Sequence, residues 1–316
     1  MNNPAETAFV FPGQGSQHPG MASEFMTTPS VGPLFEAADD ILGYKLSEIM
    51  QKGTEEDLRK TENAQPALLL ASVAVWSYLQ KQTGKALNEM ASIAAGHSVG
   101  EYVAACITGV LSFEDALKLV HARGKAMAEA VPAGEGSMAA VLGGTWNDVF
   151  STCQTTGCFV ANDNATGQLV ISGPTGAIDE ASNMLAMQEV KKIMRLEVSG
   201  PFHTQAMEPA ADTVASELEA LKLSKPLIPL VMNVTAEKTT NTTEIKENLI
   251  AQITQMVRWR ESMRNLGESG ITQVVELGSG KVLTGLLKRC DSRLQGTTLN
   301  TPQDIDNWME ALEAAA

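Results

Sequence analysis

The chain has 316 residues, 44% of them hydrophobic and 19% charged, enough apolar material for one large α/β domain with an insertion or for two ordinary domains, and this excludes a disordered chain. A formal net charge of -14 opposes non-specific binding of nucleic acid, whose phosphates it repels. Residues 1–7 carry no basic leader and the apolar run 67–76 is too short to span a bilayer, so a cytoplasmic protein without a membrane segment is expected.

In chain order, Thr7-Ala8-Phe9-Val10-Phe11 reads as a buried strand. It is closed by the tight turn Pro12-Gly13-Gln14-Gly15-Ser16-Gln17, which sets Gln14 just beyond the strand end. Gln65-Pro66 precedes a long apolar helix predicted to run to about residue 79, since proline suits a first helical turn. The apolar segment 91–97 runs into Gly96-His97-Ser98-Val99-Gly100. Ser112 with Asp115 forms a capping-box pattern, predicting a helix over about 113–130. On that helix Ala116, Val120, Arg123 and Met127 share one face, which puts a guanidinium among side chains that bury, and a buried arginine calls for an anionic partner.

From Gly136 the pattern becomes strand 137–142, helix 146–155, strand 158–162, strand 168–172, helix 177–187 and strand 192–198. This is the β-α-β-β-α-β order of ferredoxin-like units. Pro132-Ala133-Gly134-Glu135-Gly136 and Ser199-Gly200-Pro201 bound it, predicting a small domain at 134–199 inserted into a large domain made of 1–133 and 200–316. Helix 206–221, strand 228–233, helices near 244–254 and 259–266, strand 273–277 and helix 281–289 then resume the alternation. The expected fold class is α/β, an α/β-hydrolase-like large domain with a parallel-sheet core and a ferredoxin-like insert. The four cysteines are scattered, and the one close pair, Cys153 and Cys158, has neither the spacing nor the nearby histidines of a zinc knuckle. Reduced thiols and no metal are expected.

Gly96-His97-Ser98-Val99-Gly100 matches the nucleophile elbow, in which flanking glycines relieve crowding at a strained strand-to-helix turn. Ser98 would sit at a helix N-terminus, where the helix dipole and the N–H of Val99 favour an oxyanion. A serine hydroxyl needs a base, and the imidazoles available are His18, His97, His121 and His203. The elbow turns the side chain of His97 away from that of Ser98, His121 lies within the capped helix as a packed or half-exposed residue, and His18 sits solvated in the glycine-rich loop. His203, in Pro201-Phe202-His203-Thr204 where the chain leaves the insert, is placed to line an interdomain cleft and is favoured, with His97 the alternative.

Over nearly its whole length the chain resembles the malonyl-coenzyme A:acyl carrier protein transacylase family of bacterial fatty acid synthesis. The resemblance runs through Phe9-Val10-Phe11-Pro12-Gly13-Gln14-Gly15-Ser16-Gln17, Gly96-His97-Ser98-Val99-Gly100-Glu101-Tyr102, Arg123-Gly124, Pro201-Phe202-His203 and Gly278-Ser279-Gly280-Lys281-Val282-Leu283. It implies ping-pong transfer of malonyl from malonyl-CoA to acyl carrier protein, with no cofactor and as a monomer. By the same resemblance Ser98 is acylated, His203 is general base and acid, and Arg123 grips the free malonyl carboxylate through a two-pronged contact. Gln14 and the N–H of Val99 form the oxyanion hole. The family's histidine is held by a backbone carbonyl, placed here at Gln252, although Met256 stands where relatives commonly carry proline. Gln65 matches a pocket residue and Asn162 lies in an asparagine-rich turn, and both have an equally good structural reading. Phe202 matches the malonyl-selecting pattern, its ring leaving no room for a branch at the acyl C2.

Carrier proteins of this type are acidic, so docking on a negative chain calls for a local basic patch, either Lys191, Lys192 and Arg195 or Lys281, Lys288 and Arg289. Either cluster also reads as an ordinary solvated face. A serine esterase or thioesterase would share the elbow but has no use for Arg123. A non-catalytic carrier-binding module would not need Ser98, His203, Arg123 and Gln14 intact.

Overall fold

The computed structural model describes residues 3–188 and 190–314; residues 1, 2, 315 and 316 of the expected large domain and 189 of the expected insert lie outside that description. The strands are β1 (Thr7–Phe11), β2 (Ile93–Gly96), β3 (Gly136–Leu142), β4 (Phe159–Ala165), β5 (Gln168–Pro174), β6 (Lys192–Arg195), β7 (Leu230–Val231), β8 (Lys238–Thr239), β9 (Gln273–Leu277) and β10 (Gln295–Leu299). They form a six-stranded sheet in the order β10-β9-β1-β2-β7-β8 and a four-stranded sheet in the order β4-β5-β3-β6. The first is parallel except where β8 runs antiparallel to β7, and the second is antiparallel. The class is α/β with a parallel-sheet core.

β1 is buried at every residue because the sheet is covered on both faces, which is why it reads as an unbroken apolar run. Phe9 and Phe11 point into one core cluster with Leu68 and Val103, while Ala8 and Val10 point into the other with Trp259 and Leu283. The register pairs Phe11 with Gly96, so the turn after β1 and the elbow after β2 emerge side by side at the carboxyl ends of parallel strands. That is where open α/β sheets leave a crevice.

The four-stranded sheet carries helices Trp146–Thr156 and Thr175–Ala186. It is tied to the rest at β4, where Asp163 N donates to Val257 O, Val257 N donates to Ala161 O, and the Asp163 carboxylate takes two nitrogens of Arg260.

One expected helix start is corrected. Pro66 does not open the long helix, which spans Thr61–Thr83 and contains it. Proline removes the N–H that would bond the Glu62 carbonyl, and that carbonyl instead accepts from His121 Nδ1 at 3.3 Å on the neighbouring helix. The two helices touch closely at Gly124, where a Cβ would fall 2.6 Å from Thr61 O. Gly124→Ala is therefore expected to lower stability by about 1–3 kcal/mol through overpacking, read as a lower denaturant midpoint with an unchanged slope. The expected strand over 228–233 contracts to β7. All four cysteines are free thiols, and no described helix is long and apolar enough to cross a membrane.

Candidate active site

β2 ends at Gly96 and the following helix runs Val99–Ile107, with Ser98 as its N-cap at φ 53° and ψ -111°. The turn is tight: a Cβ on Gly96 would fall 1.9 Å from the Gly100 carbonyl. Asn233, just after β7, fastens it from below. Its side-chain oxygen accepts from Ser98 N at 2.8 Å and its amide donates to Gly96 O at 2.6 Å.

Ser98 Oγ lies 2.9 Å from His203 Nε2. His203 Nδ1 is 2.6 Å from the Gln252 carbonyl, and since a carbonyl only accepts, Nδ1 carries the proton and Nε2 is left to accept one from Ser98. Burial, and then the Arg123 cation, push the imidazole pKa down to about 3, against the pull of the Gln252 carbonyl. A neutral base is thus the resting state at ordinary pH.

Arg123 projects from helix Phe113–Glu129, whose Ser112 cap accepts from Asp115 N, and is 1% exposed. Nη1 donates to Gln65 Oε1 at 2.7 Å, and Nη2 donates to Gln252 Oε1 at 2.9 Å and to Ser98 Oγ at 3.1 Å. The Tyr102 ring lies 5.0 Å from Cζ, and Nε is buried without a partner. The anionic partner expected for a buried arginine is not in direct contact among the described residues: amide oxygens and an aromatic face hold the cation. Burial weakens its hold on the proton while Tyr102 and Glu101 strengthen it, and a guanidinium stays charged under these opposing pulls. Glu101 is fully buried behind Gln252, and desolvation pushes its pKa up to about 8 against the Asn233 N–H, the Gln252 amide and Arg123.

These groups open on a cleft of about 530 Å³ that is also lined by Gln14, Val99, His97, Phe202 and Asn162. Gln65 and Gln252 stand behind it, gripping Arg123. Gln14 Nε2 points to Thr61 Oγ1 at 3.4 Å, while the Val99 N–H opens the helix and has no intrahelical partner. Asn162 is corrected: it lies within β4, bridged to Val257, rather than in a turn. His97 lines the cleft, but its Nε2 is engaged by Asn164 Oδ1 at 2.8 Å and its ring packs on Trp259. His18 is exposed at the rim. Gln252 keeps its carbonyl on His203 with Met256 in the following loop. Of the two basic clusters, Arg195 lines the cleft, beside an Arg59–Glu197 ion pair of 2.6 Å and itself paired with Asp179, while Lys191, Lys192, Lys281, Lys288 and Arg289 do not line it.

Sequence reasoning missed Asn233, Glu101 and the side chain of Gln252. Glu101 had a signal, an acid three residues past Ser98 in an otherwise apolar helix turn, whereas Asn233, two residues beyond the two-residue strand β7, had none.

Residues 8–297 match the family described as Acyl transferase domain. The malonyl CoA-acyl carrier protein transacylase of Bacillus subtilis (strain 168) is 41% identical over 315 residues, covering 98% of this chain and 98% of the relative. The transacylase of Escherichia coli (strain K12) is 41% identical over 308 residues, 96% of this chain and 98% of its own. Among solved structures, the acyl-carrier-protein-S-malonyltransferase of Bartonella henselae aligns with a TM-score of 0.93 at 38% identity, covering 97% of this chain and 99% of that one. A malonyl-transacylase solved in complex with its type II PKS acyl-carrier protein aligns at 0.92 and 40% identity, over 97% of this chain and 99% of that one. With likeness of this extent over almost every residue, the chain belongs to the malonyl CoA-acyl carrier protein transacylases, a family of acyltransferases.

Proposed function

We propose that the chain transfers a malonyl group from malonyl-CoA to the phosphopantetheine thiol of an acyl carrier protein, by ping-pong exchange through a malonyl ester on Ser98. One observation carries this reading: a buried guanidinium, held by neutral partners, stands 3.1 Å from the nucleophilic oxygen. Each terminal nitrogen keeps one hydrogen on a glutamine oxygen. The second hydrogens, one of them on Ser98 Oγ, suit the two oxygens of an acyl carboxylate.

In the first half-reaction His203 Nε2 takes the Ser98 proton as Oγ attacks the thioester carbonyl. The oxyanion accepts from the Val99 N–H and from Gln14, once that amide turns from Thr61, and removing such a donor costs about 2.7 to 4 kcal/mol. The Gln252 carbonyl steadies the imidazolium, the C–S bond breaks, and the proton passes to the coenzyme A thiolate. A carrier thiol then runs the sequence in reverse. Phe202, 5% exposed against the cleft, leaves little room for a C2 branch and disfavours methylmalonyl by about 1–3 kcal/mol. Gln65 and Asn162 shape the pocket.

The strand order β4-β5-β3-β6 with its two helices supports reading 134–199 as a ferredoxin-like insert. The remainder, 1–133 and 200–316, then reads as an α/β-hydrolase-like large domain, and the cleft is their seam. The carrier approaches the rim that holds Arg195. The protein works as a cytoplasmic monomer without metal or cofactor.

Intact-protein mass spectrometry after mixing with malonyl-CoA tests this. One malonyl adduct is expected on the wild type, none on Ser98→Ala, and a weaker one from acetyl-CoA. An adduct that survives Ser98→Ala, or none on the wild type, defeats the reading.

A further inference from the structure

Ser98, His203 and Arg123 come from separate stretches of chain, and one buried carboxylate ties their supports together. Glu101, in the first turn of helix Val99–Ile107, accepts the Asn233 N–H on Oε1 at 2.6 Å and the Gln252 side-chain amide on Oε2 at 3.0 Å. Burial favours the acid form of Glu101, but both oxygens receive N–H donors and neither has an acceptor for an O–H, so the hydrogen-bond geometry, with Arg123 one amide away, holds it as the carboxylate. Asn233 carries the restraint to the elbow through Ser98 N and Gly96 O. Gln252 carries it to the other two groups. Its Nε2 also donates to Ser98 O at 2.9 Å, its Oε1 takes Arg123 Nη2, and its main-chain carbonyl takes His203 Nδ1.

We propose that Glu101 is a positioning residue that acts through Gln252, fixing that residue so that its main-chain oxygen holds His203 and its side-chain oxygen holds Arg123, while serving as a countercharge one amide removed from the guanidinium. The two ends of a glutamine amide are nearly equal in shape, so something must choose between them. Flipped, the Gln252 NH₂ would face the donors of Arg123, and its oxygen would face the Glu101 carboxylate and the Ser98 carbonyl. The demand of Glu101 for a donor reinforces Arg123 and the Ser98 carbonyl in forbidding that arrangement, and adds a charged partner to the pair. A carboxylate in direct contact with Arg123 would occupy the hydrogens that the acyl carboxylate must take. Set one amide back, it offsets the cost of burying the cation and leaves the clamp open.

This inference rests on the transacylase reading, and single-turnover acylation of Ser98 by malonyl-CoA and by acetyl-CoA separates the two. Glu101→Gln is expected to slow saturated acylation by both donors about 10- to 100-fold, because small misplacements of reacting groups cost that much, and also to raise KM for malonyl-CoA alone. Glu101→Gln combined with Gln252→Ala is expected to be no slower than the worse single variant, the mark of one residue acting through the other. A folded Glu101→Gln protein acylated at the wild-type rate, or multiplicative losses in the double variant, overturns the proposal. If Glu101→Gln does not fold, Gln252→Ala decides alone. Slowed acylation with a raised malonyl-CoA KM supports the proposal, and wild-type behaviour overturns it. Failure of the wild type itself to be acylated would instead remove the transacylase reading.

Discussion

Arg123→Ala is expected to lower kcat/KM for malonyl-CoA by about 10²- to 10³-fold, equivalent to roughly 3 to 4 kcal/mol, while acetyl-CoA loses no more than about tenfold. The asymmetry follows from what each acyl group asks of the guanidinium. Malonyl brings a carboxylate that must leave water for a cleft in which Arg123 is the cation beside Ser98. With alanine there, that carboxylate is buried without a charge partner, a penalty of several kcal/mol. Acetyl brings a methyl group and feels only the loosened Gln252, which loses one donor but keeps Glu101 and the Ser98 carbonyl. Arg123→Lys should rescue only part of the malonyl loss, because an ammonium restores charge without the planar fork. Paired kinetics with the two donors checks this, and equal losses would mean that the arginine serves folding rather than recognition.

His203→Ala is expected to slow acylation of Ser98 by about 10²- to 10⁴-fold, the usual contribution of a positioned base. The wild-type pH profile should be as informative. An ordinary imidazole titrates near 6.5, but burial and Arg123 hold this one at about 3, so the competent neutral form persists as pH falls through 6.5. The acid limb of kcat/KM, which reports the free enzyme, should therefore lie well below that value, and a half-loss near 6.5 would place His203 in solvent. Stability moves with the same shift. Between 6.5 and about 3 the unfolded chain binds a proton that the folded chain refuses, so stability is lost as pH falls through this window. Stopped-flow acylation beside thermal melts over the same pH range separates titration of the base from acid unfolding.

Much of this site was legible in the sequence because its signals are local or periodic. The elbow glycines straddle Ser98 within five residues, and Arg123 betrays itself by sharing a helical face with Ala116, Val120 and Met127, all buried. Where signals were not local, the reading failed. Pro66 reads as a helix start because its missing N–H usually marks one, but it lies in the second turn of the helix, where the Glu62 carbonyl it leaves free takes the imidazole of a neighbouring helix. β10, with the sequence Gln-Gly-Thr-Thr-Leu, is an edge strand half open to solvent and lacks the apolar run that marks its buried neighbours. Helix Gly32–Leu42 also went unread, although Pro33 near its start and Gly43 at its end bracket it. Gln252 was placed through family resemblance for its backbone carbonyl, but the work of its side chain depends on Glu101, Arg123 and Ser98 converging from distant segments. No linear pattern encodes that convergence.

Ser98 and His203 both hang from backbone with positive φ, 53° and 60°, a region where a side chain costs about 1–3 kcal/mol. Durability and chemistry therefore pull in opposite directions at the very place where the proton is exchanged. Glycine at either position would relax the chain and silence it. Laboratory selection for heat resistance alone would erode this corner first, and lineages enriched that way should be counted by turnover as well as by survival.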